Sequence, residues 1–194
     1  MKKIIEEIEK GNLVIMPTDT VYGIMADATN EDAIKKVFIA KKREKKPLIL
    51  LVSNIEMLKK YVIEISDLQK ELIEKYWPNT LSIVFDKNDN LSDTLTCGNK
   101  TVAIRMPNNK LLLEIMNKIN KPLISTSANI SSKDVITKVD LLEEELKRHI
   151  SYILDDGEKT NISSTIVKIE NNKIIFLREG ILADKIKKDF KDYV

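Results

Sequence analysis

The sequence predicts an α/β protein: one domain, residues 1–194, built on a mixed sheet. Three observations carry this expectation. The chain has 194 residues, against roughly 150 for an average domain. Short apolar runs of strand length alternate with segments of helical period along nearly all of it. Near the end, two such runs, Thr165–Ile169 and Ile174–Leu177, are separated only by a short Asn-rich turn. That connection suits an antiparallel hairpin and is too short for a helical crossover.

Each element follows from local signals. Ile4, Ile5 and Ile8 share a helix face that Gly11 terminates. Leu13 to Met16 is a buried strand halted by Pro17, and Pro17 to Gly23 is a polar loop after it. Thr29, Asn30 and Asp32 open a helix carrying Ala33, Val37 and Phe38, which runs out in the basic stretch before Pro47. Leu48 to Val52 is a strand buried on both faces. Asn54 starts a helix to about Val62, and Ser66 with Gln69 forms a capping box for another that ends at Trp77-Pro78. Strands follow at Thr80–Phe85 and Thr101–Arg105, then a helix at Asn109–Asn120 and a strand opened by Lys121-Pro122. The period then predicts a helix over Thr137–His149, a strand over Tyr152–Leu154, the hairpin, and a closing helix over Ala183–Tyr193.

Composition removes whole classes of function. The chain is 43% hydrophobic and 32% charged, as soluble globules are. No apolar run approaches the roughly 20 residues of a membrane helix, and the mixed-charge N-terminus is no signal peptide. These features predict a cytoplasmic protein with no membrane partner. A lone cysteine, Cys97, excludes an internal disulfide framework. A lone histidine, His149, excludes most zinc, haem and Ser-His-Asp chemistry, so no protein-bound metal is expected. A net charge of +2 does not by itself indicate a nucleic-acid binder. Only four cations are arginine, Arg43, Arg105, Arg148 and Arg178, against 28 lysines. Each planar fork therefore invites a specific role.

Neither G-x-x-x-x-G-K-[ST] nor G-x-G-x-x-G occurs, so any phosphate must be held by side chains and ordinary amides. Candidates lie in short polar stretches at strand ends, where open α/β sheets bind ligands. Pro17–Gly23 offers Thr18, Asp19, Thr20 and Tyr22, although threonines in turns commonly satisfy their own backbone. Lys41, Arg43, Lys45 and Lys46 form a basic cluster, either a solvated helix end or a polyphosphate clamp. Ser125–Asn129 and Ser163–Thr165 supply hydroxyls and an amide, as ligand groups or as capped turns. Arg105 and Arg178 each end a strand. His149 and Cys97 have no partner that would make them catalytic, and Trp77 is core or a pocket wall.

The order of these stretches is more specific than any one of them. P-T-D-T-V-Y-G (17–23), K-x-R…K-P-L (41–48), Y-W-P (76–78), T-V-A-I-R-M-P (101–107), P-L-I-S-T-S-A-N (122–129), S-S-T-I-V (163–167) and L-R-E-G (177–180) occur in series. This series resembles the YrdC-like family of threonylcarbamoyl-AMP synthases over residues 3 to 182, in its short single-domain form. The resemblance implies a twisted mixed sheet flanked by helices, with a concave, positively charged cavity. It also implies a reaction in which L-threonine, bicarbonate and ATP give threonylcarbamoyl-AMP and pyrophosphate. A separate transferase complex would carry the product to adenosine 37 of tRNA. Catalytic roles fall to Lys41 and Arg43. ATP contacts fall to Lys41, Arg43, Lys46, Thr96, Ser127, Asn129 and Arg178, with Mg²⁺ riding on the phosphates. Threonine would sit against Thr18, Arg105, Ser125 and Ser164.

The chain departs from the family pattern in places. W-P-G-P-L-T is here Trp77-Pro78-Asn79-Thr80-Leu81-Ser82. Glu44 stands where a proline often follows the arginine, and the segment is one residue shorter before Pro47. Leu51 takes the place of a threonine-contacting histidine of some members. Ser132 replaces a common glycine, and Val135 a nucleotide-contacting serine. Two rival readings share this pattern: a double-stranded RNA-binding module, and a non-synthase paralogue of the same fold.

Overall fold

The structure is a computed structural model that describes residues 1–44, 46–160 and 162–194. Lys45, part of the expected basic cluster, lies outside the described residues. Among the described residues nine strands form one mixed sheet: β1 (Leu13–Pro17), β2 (Tyr22–Asp27), β3 (Ile49–Leu51), β4 (Leu81–Asp86), β5 (Thr101–Arg105), β6 (Leu123–Ser127), β7 (Ile150–Ile153), β8 (Thr165–Glu170) and β9 (Lys173–Arg178). Their spatial order is β7-β1-β2-β6-β3-β5-β4-β8-β9. The pairs β1·β7, β3·β5 and β4·β8 are parallel and the others antiparallel, so the sheet is mixed, as expected.

The helices are α1 (Lys2–Glu9), α2 (Glu31–Lys41), α3 (Ile55–Lys59), α4 (Asp67–Tyr76), α5 (Asp93–Thr96), α6 (Lys110–Ile119), α7 (Glu144–Lys147) and α8 (Ala183–Asp189). Where capping chemistry set the expectation, the start agrees. The side chains of Asn30, Asn54 and Asn109 cap α2, α3 and α6, and Ser66 and Gln69 form the reciprocal capping box of α4. Gly11 ends α1 at φ +71°, and a Cβ there would lie 2.7 Å from the Asn30 amide that caps α2. One glycine thus ends one helix and makes room for the start of another.

Alternation along the strands divides the sheet into a core face and a cavity face. Ile124, Leu50, Ile104, Ile83 and Val167 lie in one row across β6, β3, β5, β4 and β8, all buried. The adjacent row on the opposite face includes Ser125, Ile49, Ala103 and Lys168, each half-buried. That face is open over the middle of the sheet, whereas every position of β1 and β2 is buried.

Three expectations need correction. Residues 17–23 are not one loop: Tyr22 and Gly23 already belong to β2, and only Thr18–Val21 turns. Gly23 marks a close approach rather than a turn, because a Cβ there would meet Met25 Cε at 2.8 Å and Thr18 Cγ2 at 3.2 Å. The helix expected over Thr137–His149 is only a 3₁₀ turn at Val139–Leu141 and the single turn α7. Thr137 O accepts from Lys159 N at 2.8 Å, so the backbone pairs across the chain and not along a helix, while Ile136, Leu142 and Leu146 anchor it to the core. Finally, α3 ends at Lys59 and α8 at Asp189, each short of its expected end. Among the described residues no helix is long and apolar enough to cross a membrane.

Candidate active site

The open face and the chain turns around it enclose a cavity of about 180 Å³. Seven of the expected residues line it: Thr18, Arg43, Arg105, Ser125, Ser127, Ser164 and Arg178. They come from six separate stretches of sequence and meet only through the sheet order. The described lining holds three guanidinium groups and no carboxylate, a composition suited to an anionic ligand.

Arg105 ends β5 with only 7% of its surface exposed. Its Nη2 donates to the Asp19 carboxylate, whose other oxygen accepts from Asn108 N at 3.0 Å. Burial and the nearby charge of Arg178 lower its pKa to about 10, so it remains a cation at neutral pH. Arg178, at the end of β9, donates from Nε to Ser164 O at 2.8 Å and from Nη2 to Ser164 Oγ at 2.6 Å. Burial lowers its pKa as well. The chain after β9 passes so close that a Cβ on Gly180 would lie 2.3 Å from Ser163 O. Gly180 therefore lets β9 and the Ser163–Ser164 wall share one place.

Arg43 follows α2 through Lys42, whose φ of 48° turns the chain out of the helix. Its Nε and Nη2 donate to Lys46 O and Pro47 O at 2.7 and 2.8 Å, which fixes the guanidinium plane. Opposite, the Thr18 hydroxyl donates to Val21 O and accepts from the amides of Thr20 and Val21. Local turn bonding and cavity lining are both true of Thr18.

Four expected ligand residues do not line the cavity. Lys41 is 1% exposed, and its ammonium donates to Ser127 O and Asn129 O at 2.6 Å and to Asn129 Oδ1 at 3.1 Å. All three protons are used. Burial first, then the charge of Arg43, bring its pKa down to about 7. Asn129 is occupied by Lys41, by the Ser127 hydroxyl and by Lys133 O. Thr96 is fully buried at the end of α5, and Lys46 is exposed outside the lining. Lys41 and Asn129 thus form the support beneath the Ser127 turn.

Some cavity residues were not read from the sequence. Ile49 and Ile162 are apolar and carry no signal; Asp19, beside the cavity, pairs with Arg105 through a long-range contact that no local pattern gives away. Of the departures, Val135 lines the cavity, and Leu51 pairs with Arg105 across β3 and β5. Ser132 has φ +73°, a left-handed conformation that explains why glycine suits that position. Trp77 is part of the core: its ring stands edge-on to Phe85 and its Nε1 donates to Leu81 O at 2.8 Å. His149 is exposed and Cys97 is the left-handed C-cap of α5; neither lines the cavity.

Fold and site define an α/β protein with an arginine-lined concavity on its sheet, a lining suited to small anionic ligands. The family model of Sua5, YciO and YrdC, described as "Telomere recombination", matches residues 6–180. A relative from Methanocaldococcus jannaschii is 39% identical over 187 residues, covering 93% of this chain and 87% of its own length. A threonylcarbamoyl-AMP synthase of Pyrococcus abyssi is 34% identical over 89% of this chain, which spans about half, 52%, of that protein. The crystal structure of Pyrococcus abyssi Sua5 complexed with L-threonine superposes with a TM-score of 0.90 at 33% identity, covering 96% of this chain and 56% of that one. The chain belongs to the Sua5–YciO–YrdC family.

Proposed function

We propose that this protein is a threonylcarbamoyl-AMP synthase, making the acyl adenylate and pyrophosphate from L-threonine, bicarbonate and ATP. The observation that carries the reading is the meeting of Arg43, Arg105 and Arg178 with Ser125, Ser127 and Ser164 in one cavity. Family membership and relatives that bear this activity support it.

The chemistry divides between two anionic substrates. Arg105 with Thr18, Ser125 and Ser164 would seat the threonine carboxylate, which a guanidinium matches in shape and charge. Arg43 and Arg178 would hold the ATP phosphates, with Ser127 beside them. Lys41 acts from below, holding the Ser127–Asn129 turn. The threonine nitrogen bonds to the bicarbonate carbon with loss of water, giving a carbamate. A carbamate oxygen then bonds to the α-phosphorus as the bond to the departing pyrophosphate breaks. Proximity in a recessed cavity and charge stabilisation do most of this work, since no His, Asp or Glu is among the described lining residues.

Among the described residues no group of three or more His, Cys, Asp or Glu is placed to hold a metal ion. The arginine and hydroxyl lining suits phosphates instead, so Mg²⁺ would enter on ATP and neutralise charge on the leaving pyrophosphate. The product, a labile mixed anhydride, calls for a separate transferase that delivers it to adenosine 37 of tRNA in the cytoplasm. Pyrophosphate release measured with each substrate omitted in turn tests the reading. It should require threonine and bicarbonate together with ATP, and turnover indifferent to threonine would contradict it.

A further inference from the structure

Among the described residues, three buried side-chain polar atoms have no hydrogen-bond partner: Ser82 Oγ, Arg105 Nε and Ser131 Oγ. Two of the three are neighbours. The β4–β5 ladder pairs Ile83 with Ile104, and that register carried one residue further sets Ser82 across from Arg105, on the face opposite those two isoleucines. Ser82 is fully buried and Arg105 nearly so. A buried donor or hydroxyl without a partner costs about 1–3 kcal/mol, and two on adjacent residues amount to a hydrogen bond not yet made. The reason lies at the far end of the guanidinium. Asp19, on the β1–β2 turn and itself anchored by Asn108 N, holds Arg105 Nη2. It ties the head group to the turn and leaves Nε unpaired.

We propose that Ser82 is a positioning residue for Arg105. When a substrate carboxylate takes the head of the Arg105 fork from Asp19, the guanidinium settles against the sheet and its Nε–H donates to Ser82 Oγ. This inference rests on the reading of Arg105 as the seat of the threonine carboxylate. The bond forms only in the bound state, so it strengthens threonine binding and adds nothing to the free fold. It also accounts for a hydroxyl retained where an apolar side chain would pack without penalty.

The test is calorimetric titration of threonine and, separately, ATP into the wild type, Ser82→Ala and Ser82→Thr, with thermal melts of all three free proteins. Losing one hydrogen bond to a charged group, Ser82→Ala should weaken threonine roughly tenfold. It should leave ATP affinity alone and leave the melting temperature of the free protein unchanged or higher. Ser82→Thr keeps a hydroxyl and should restore threonine affinity. Equal threonine affinity in wild type and Ser82→Ala overturns this inference and spares the proposed function. A lower melting temperature with both ligands weakened alike also overturns it, because the hydroxyl is then already structural. A wild-type protein that does not bind threonine removes both the inference and the function it rests on.

Discussion

Arg105 and Arg178 lie close enough for one charge to depress the other's pKa, yet their partners differ: Asp19 for Arg105, and the backbone and hydroxyl of Ser164 for Arg178. This difference predicts a division of labour. Arg105→Lys keeps a charge but loses the planar fork, so it should weaken threonine strongly and leave ATP binding almost unchanged; Arg178→Lys should do the reverse. Titration of both variants with both ligands decides it, and equal weakening of the two ligands by Arg105→Lys would show that the pocket is divided otherwise. A second comparison concerns Arg43, held at the cavity by Lys46 O and Pro47 O, and Arg148, exposed outside it. Arg43→Ala should cost about 2–4 kcal/mol of transition-state stabilisation, as for other preorganised donors. Arg148→Ala should be nearly silent in kcat/KM.

At the scale of elements, the β8–β9 hairpin turns on Asn171 and Asn172, both with positive φ, as a two-residue turn requires. It delivers Arg178 to the cavity only because Gly180 admits the Ser163–Ser164 backbone. Gly180→Ala should therefore force that wall outward, costing about 1–3 kcal/mol of stability, the usual range for overpacking. Activity should fall further than the melting temperature alone explains. In α1, hydrogen bonds from Asn12 and then Lys3 hold the Glu7 carboxyl well below its usual range, at about 2. A carboxylate with a lowered pKa stabilises the fold fully above its unfolded value and loses that contribution as pH falls through the folded one. The melting temperature of wild type should exceed that of Glu7→Gln at neutral pH, and the gap should close between about pH 4.5 and about 2. A gap that stays constant down to the lowest pH would contradict this origin. Element starts were legible in the sequence because caps are local chemistry: Asn30, Asn54, Asn109 and the Ser66–Gln69 box each act within three residues. The segment 137–149 was not, because two buried anchors at helical spacing, Leu142 and Leu146, suit a strap as well as a helix, and a pairing with Lys159 decides between them.

For the whole molecule, the order of motifs along the chain gave the class of site, and the sheet order then separated lining from support. Thr18, Arg105, Ser125, Ser164 and Arg178 look like ligand groups in sequence and line the cavity. Lys41 looks the same in sequence, but Ser127 O and the two Asn129 oxygens claim its ammonium from β6 and the turn after it, contacts 86 and 88 residues away. No local pattern reveals such a claim. The Asp19–Arg105 pair, likewise 86 residues apart, stayed hidden for the same reason. The proposed function requires this one concavity to join threonine, bicarbonate and ATP. The most direct measurement is an incubation of the purified protein with ATP, Mg²⁺, L-threonine and ¹³C-labelled bicarbonate, followed by mass spectrometry. A synthase yields threonylcarbamoyl-AMP carrying a single added ¹³C, formed by wild type and strongly reduced in Arg43→Ala. An active ATP-cleaving protein whose adenylate carries no label from bicarbonate, or no threonyl group, would contradict this reading.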